Sequence, residues 1–127
     1  MKYYLYKFIN FQYKWLPIFF GCHCRADRSF YYKTMKFPVC ARCTGELIGI
    51  ILALLTSWLF RPNTFILLIM LIPLIADGLI QLLSHYESTN LRRLLTGILF
   101  GYALIELFMI SIIRAFQFGF KIGMQLK

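Results

Sequence analysis

Polar residues are spread unevenly along this chain. Three apolar stretches, about 44–60, 64–83 and 94–113, run almost free of charge, each near the roughly 17–25 residues a helix needs to cross a bilayer. Arg61-Pro62-Asn63 separates the first from the second as a tight turn. Residues 84–93 separate the second from the third, and Ser88, Thr89 or Asn90 can cap the helix that follows. Residues 1–20 have a different pattern. Tyr3, Tyr4, Tyr6, Phe8, Phe11, Tyr13, Trp15, Phe19 and Phe20 are interrupted by Lys7, Asn10 and Lys14, whose spacings of three and four put them on one helical face. Tyr and Trp favour the headgroup level and lysines snorkel to water. The pattern therefore predicts a helix lying in the interface and ending near Pro17, with a first spanning helix as the competing reading. A cleavable signal does not fit, because lysine breaks the apolar run and no small-residue cleavage site follows.

Residues 21–43 carry no regular period and predict a folded loop held by its cysteines; residues 114–127 form a short basic tail. The expected fold is all-α. It is one polytopic membrane domain over 1–127, with three transmembrane helices over 44–113, an N-terminal interfacial helix over 1–20 and a fourth span as the alternative.

Composition strengthens the membrane reading. The chain is 60% hydrophobic, against roughly 45–50% in soluble domains, so lipid must cover part of its surface. A net charge of +9 could suggest nucleic acid, but the cations flank apolar spans and act as topology signals instead. With three spans, one side holds residues 1–43 and the 84–93 loop, with eight plus two Lys/Arg. The other holds Arg61 and the tail, with one plus three. Ten against four places the cysteine segment in the cytoplasm, at the inner membrane. A fourth span would move the N-terminus and leave that segment where it is.

Small residues four apart line two of the spans: Gly45, Gly49 and Ala53 on the first, Gly97 and Gly101 on the third. In lipid such faces let backbones approach closely, so they mark candidate helix–helix contacts, within the chain or with another membrane protein.

All four cysteines fall within 22–43: Cys22-His23-Cys24, fifteen residues, then Cys40-x-x-Cys43. A reducing cytoplasm disfavours a structural disulfide and favours a metal. Zinc takes four tetrahedral N/S ligands, of which Cys40 and Cys43 supply two from one turn. The others must come from Cys22, His23 and Cys24; adjacent residues point apart, so two of those three bind. Arg25, Arg28 and Arg42 favour thiolates. A transient Cys40–Cys43 redox pair at the bilayer surface is the second reading.

The second span carries Asp77 and Gln81 at i and i+4, with Ser84 and His85 continuing the face. An intramembrane carboxylate is costly and faces the bundle interior with a partner, for which Arg93, Thr96 and Glu46 are the candidates. Asp77, Gln81 and Arg93 are accordingly the candidate catalytic residues. Glu106 lies deeper on the third span without a partner legible in the sequence, and His85 reads as a solvated loop histidine. Arg92 and Arg93 are topology signals first, and candidate contacts to anionic headgroups or phosphate second.

Cys22-His23, Arg28-Ser29-Phe30, Phe37-Pro38-Val39-Cys40-Ala41-Arg42-Cys43-Thr44-Gly45, Asp77-Gly78 with Gln81, and Ser88-Thr89-Asn90 through Arg93, Thr96 and Gly97 together resemble one family of small prokaryotic integral-membrane proteins of unknown function. The resemblance covers about residues 20–101 and is most specific in the cysteine block. It implies a compact multi-span protein whose ligand set is Cys22, His23, Cys40 and Cys43, with a polar site nearby. This chain departs from the family in having Cys24 where a polar residue such as Gln is common, which keeps Cys24 as the alternative ligand to His23. No reaction comes with the family. No nucleophile elbow, phosphate loop or histidine-rich protease motif occurs in the chain. The expected function is a membrane protein with a zinc site over a polar pocket, acting on a lipid or amphiphile. The alternatives are a thiol–disulfide protein and a non-catalytic accessory subunit.

Overall fold

A computed structural model describes residues 2–22, 26–33 and 35–125. Its elements are α1 (Lys2–Phe19), a 3-10 turn (Ala26–Arg28), strands β1 (Ser29–Tyr32) and β2 (Met35–Cys40), and helices α2 (Ala41–Thr56), α3 (Thr64–Leu83) and α4 (Asn90–Gln125). The fold is mostly helical, but not all-α. Where a loop was expected, β1 and β2 pair antiparallel, Tyr32 opposite Met35 and Ser29 opposite Cys40. Lys33 takes the left-handed conformation at the turn, φ 56°.

The boundaries of α3 match the expected 64–83, whereas those of α2 and α4 shift. α1 continues through Pro17 to Phe19. It ends on Gly21 at φ 56°, with Gly21 N–H donating to Ile18 O at 3.3 Å and Cys22 N–H to Pro17 O at 2.8 Å. This crossed pair of bonds is a Schellman cap, for which glycine has the backbone freedom, and it sets the direction in which Cys22 leaves the helix. α2 begins directly at the end of β2, with Cys40 as its N-cap and no intervening loop. It stops at Thr56, whose hydroxyl donates to Leu52 O at 2.8 Å. Asn63 caps α3 by accepting from Phe65 N–H at 3.2 Å. Thr89 is the member of the Ser88-Thr89-Asn90 trio that caps α4, accepting from Arg92 N–H at 3.4 Å. The expected third span and the basic tail as far as Gln125 are one helix of 36 residues, about 54 Å long at ~1.5 Å per residue.

α4 is the central element, packed by α2 on one side and α3 on the other. Glycines set the α2–α4 distance. A Cβ on Gly45 would lie 2.2 Å from Leu94 O, and one on Gly49 2.3 Å from Ile98 O. From the other side, Gly97 meets Arg42 O and Gly101 meets Glu46 O, both at 2.3 Å. The two small-residue faces thus meet each other inside the chain.

Of the twenty residues of α3 only Leu67 is buried. Leu68, Ile69, Ile72, Ile75, Leu79 and Leu82 are exposed, as are Leu104, Phe108 and Ile112 on α4. The accessible surface is 10023 Å² for 15.0 kDa, where a compact soluble monomer of that mass exposes about 7,000 Å². α3 and α4 are each long and apolar enough to cross a membrane. α2, with 16 residues, falls just short of that length.

Candidate functional site

The start of α2, the end of α3 and the start of α4 come together at one end of the bundle, where the hairpin joins them. There the Sγ atoms of Cys22, Cys40 and Cys43 lie within 4.8 Å of one another. Three backbone devices deliver them: the Schellman cap of α1 places Cys22, the β2–α2 junction places Cys40, and the first turn of α2 buries Cys43. Cys40 N–H donates to Cys22 Sγ at 3.2 Å, and the Cys40 and Cys43 sulfurs are 3.5 Å apart. All three cysteines are free thiols. His23 and Cys24, the expected source of a further ligand, lie outside the described residues.

The sulfurs are not equivalent. Hydrogen bonding from the Cys43 thiol pulls Cys40 well below the usual thiol range against the effect of burial, helped by the Cys43 backbone amide, the Cys22 side chain and the Arg42 amide. The same bond, with burial and the charges of Cys40, Cys22 and Glu46, pushes Cys43 far above that range. The pair titrates as a unit whose first proton leaves Cys40 and whose remaining proton sits on Cys43.

A zinc–thiolate bond of about 2.3 Å in tetrahedral geometry separates sulfurs by about 3.8 Å. The 3.5 Å Cys40–Cys43 separation matches that figure, and the 4.8 Å limit on the set exceeds it by one rotamer-scale adjustment. The donor set fits a thiophilic divalent ion, with three ligands in hand.

The cysteines line one wall of a cavity of about 470 Å³, whose other walls include Arg28, Arg42, Arg93, Glu46 and Gln81. Asp77 lies just behind it. Its Oδ2 accepts from Arg42 Nη2 at 2.6 Å and from Gln81 Nε2 at 2.7 Å. The sequence supplied Arg93, Thr96 and Glu46 as partners for Asp77, and the partner is Arg42. Thr96 instead donates to Arg92 O and Arg93 O of its own helix, while Glu46 faces the cavity. Of the three candidate catalytic residues, Gln81 and Arg93 line the cavity and Asp77 orients two of its walls. Arg92 lies outside, donating to Tyr86 OH and stacked over that ring at 5.9 Å. His85 is exposed, as expected of a solvated loop residue.

Glu106 is 1% exposed, and among the described residues its Oε1 has no hydrogen-bond partner. It borders a separate cavity of about 90 Å³ with Ser57, Trp58 and Arg61, toward the far end of α2.

Residues 22–107 match the model of the family described as "Predicted membrane protein (DUF2085)". The chain belongs to this family. It is similar to an uncharacterized protein of Methanothermobacter thermautotrophicus, 34% identical over 91 residues that cover 68% of this chain and 82% of the relative. It is also similar to uncharacterized protein MJ1492 of Methanocaldococcus jannaschii, 40% identical over 91 residues, covering 66% of this chain and 58% of that relative. No solved structure matches.

Proposed function

We propose, starting from that family membership, that the chain is an inner-membrane protein with a zinc centre facing the cytoplasm, acting on a lipid or amphiphile. The observation that carries this reading is the gathering of three free thiols within 4.8 Å, from two segments far apart in sequence. Thiolate character at Cys40 adds to it, since the thiolate is the form that binds metal. His23 or Cys24 supplies the fourth ligand. With that fourth ligand in place the site would be closed and structural; with the fourth position left to solvent, zinc would act as a Lewis acid or lower the pKa of bound water.

In this reading α2 is the third crossing, extended by the exposed apolar residues Trp58, Leu59 and Phe60. The charge asymmetry supports the cytoplasmic placement of the cysteines. The 470 Å³ cavity has the size of a small-molecule site, and exposed Leu82 and Leu83 end α3 at the same end of the bundle. Gln81 and Arg93 contact the ligand there, while Asp77 holds Arg42 and Gln81 in place.

Elemental analysis of the purified chain tests the proposal, alongside identification of co-purifying lipid. Zinc near one equivalent that is lost in Cys40→Ser and Cys43→Ser is the expected result. Unchanged metal content in either variant overturns the ligand assignment.

The 3.5 Å sulfur separation and the unequal thiols also support a second reading, a Cys40–Cys43 redox pair. That reading expects a mixed disulfide to be trapped in cells, and cysteines that stay reduced under oxidant would sink it. The accessory-subunit reading is weaker, because its glycine faces are already occupied by α2 and α4 themselves.

A further inference from the structure

Arg28, Arg42 and Arg93 reach one cavity from three elements, the 3-10 turn, α2 and α4. Three guanidinium groups in one pocket repel one another, and the protein compensates them incompletely. Arg42 has Asp77 on one nitrogen, but its Nε is buried and makes no hydrogen bond among the described residues. Arg28 has two loose ion pairs, 3.6 Å to Asp27 and 3.8 Å to Glu87, both with well-exposed carboxylates, and its Nε is also buried without a hydrogen bond. Arg93 is the most exposed to this imbalance: the residue is 96% buried and its side chain makes no hydrogen bond or ion pair among the described residues.

Buried cations persist only when paired. Among the described residues Glu46, the carboxylate lining the cavity, makes no ion pair with them, and Asp77 and Glu87 reach Arg93 only at longer range, so the three guanidinium groups outnumber the acceptors they have. The sulfurs do not fill that role, since no guanidinium–sulfur hydrogen bond forms among the described residues. The first turns of α2 and α4 add the positive ends of two helices at the same place.

We infer that Arg28, Arg42 and Arg93 form a binding site for a phosphate-class oxyanion, next to the cysteine cluster and independent of any metal held there. Forked donors arriving from three directions suit a tetrahedral oxyanion with three or four acceptor atoms; a carboxylate is satisfied by one fork. The cavity admits a free phosphate ion and has room besides for the rest of a phosphate ester at the membrane surface, so either can be the source of the group it takes.

The test uses the full chain in phosphatidylcholine nanodiscs titrated with inorganic phosphate at constant ionic strength, and in parallel nanodiscs containing phosphatidic acid, reading ligand binding and melting temperature. Arg93→Gln is expected to weaken binding about ten- to a hundredfold, the effect of losing a charge-assisted donor. Arg93→Lys keeps the charge without the fork and falls between. Arg92→Gln, outside the cavity, stays within about twofold. Should Arg93→Gln fail to fold, Arg28→Gln takes its place, because Arg28 sits in a partly exposed turn. Binding of phosphatidic acid alone assigns the phosphate to a lipid headgroup, and binding of inorganic phosphate assigns it to a soluble ligand. Failure of both, or equal weakening by Arg92→Gln, overturns the inference. Metal content is measured on the same samples, so the zinc assignment stands or falls separately.

Discussion

Arg42 Nη2 donates to Asp77 Oδ2 at 2.6 Å, tying the first turn of α2 to the last third of α3. The Arg42 side chain is 27% exposed and Asp77 10%, so the contact lies beneath the cavity rather than at its mouth. It holds Arg42 facing the cysteine side and leaves its Nε available.

Asp77→Ala strands that cation half-buried. A loss of about 1–3 kcal/mol is expected, below the full cost of breaking a wholly buried pair because water reaches part of Arg42. Chemical unfolding in detergent measures it. Asp77→Asn, which still accepts a hydrogen bond, should lose less; equal losses would mean that charge and not hydrogen bonding dominates.

The glycine contacts predict a sharp positional contrast. Gly97→Ala places a methyl 2.3 Å from Arg42 O, which forces α2 and α4 apart. A loss of about 2–4 kcal/mol is expected, comparable to overpacking a close-fitted core. Gly78→Ala on α3 meets nothing within 4 Å and should be neutral or gain up to about 1 kcal/mol of helix propensity. Thermal unfolding of the two variants side by side checks both.

Thiol reactivity in metal-stripped protein should divide by position. Because Cys40 is shifted down, its thiolate survives as pH falls and it should alkylate at about pH 6, where an ordinary thiol of pKa ~8.5 is almost wholly protonated. Cys43 is shifted up and should react only when pH rises or after Cys40 has been blocked. Mass-spectrometric mapping of sites labelled across a pH series reads this out, and the opposite order would reverse the assignment of the shared proton.

Glu106→Leu should be neutral or stabilise by about 1–3 kcal/mol, since it replaces a buried carboxyl lacking a full set of partners with an apolar group of similar size. A clear destabilisation would show that this carboxyl has a partner worth keeping, and would direct attention to the Arg61 end of the bundle.

The apolar stretches around 64–83 and beyond 94 were legible because runs that long and apolar suit a helix able to cross a membrane, and the cysteine spacing pointed to sulfurs that do converge. The hairpin was hidden. Its strands have four and six residues, Pro38 interrupts one, and a bulge between Ser29 and Tyr31 breaks the alternation that would mark the other. The helical character of 114–125 was masked by its cations. Arg114, Gln117 and Lys121 in fact recur at three and four, as in the preceding turns. Arg42 with Asp77, and the meeting of Arg28, Arg42 and Arg93, join segments 35 or more residues apart or on separate elements. No local period encodes such a meeting; it comes from the packing of α2, α3 and the hairpin segment around α4.

Two of the three gathered sulfurs ride on a single stiff piece, the strand that turns into a helix without a joint, whereas the third hangs from the tip of α1 behind a glycine swivel. An ion closing that ring would therefore act as a latch between the aromatic N-terminal arm and the rest of the molecule. Stripping it should release the arm as a unit, pivoting about the Tyr13–Lys36 contact, and leave the glycine-packed helices undisturbed.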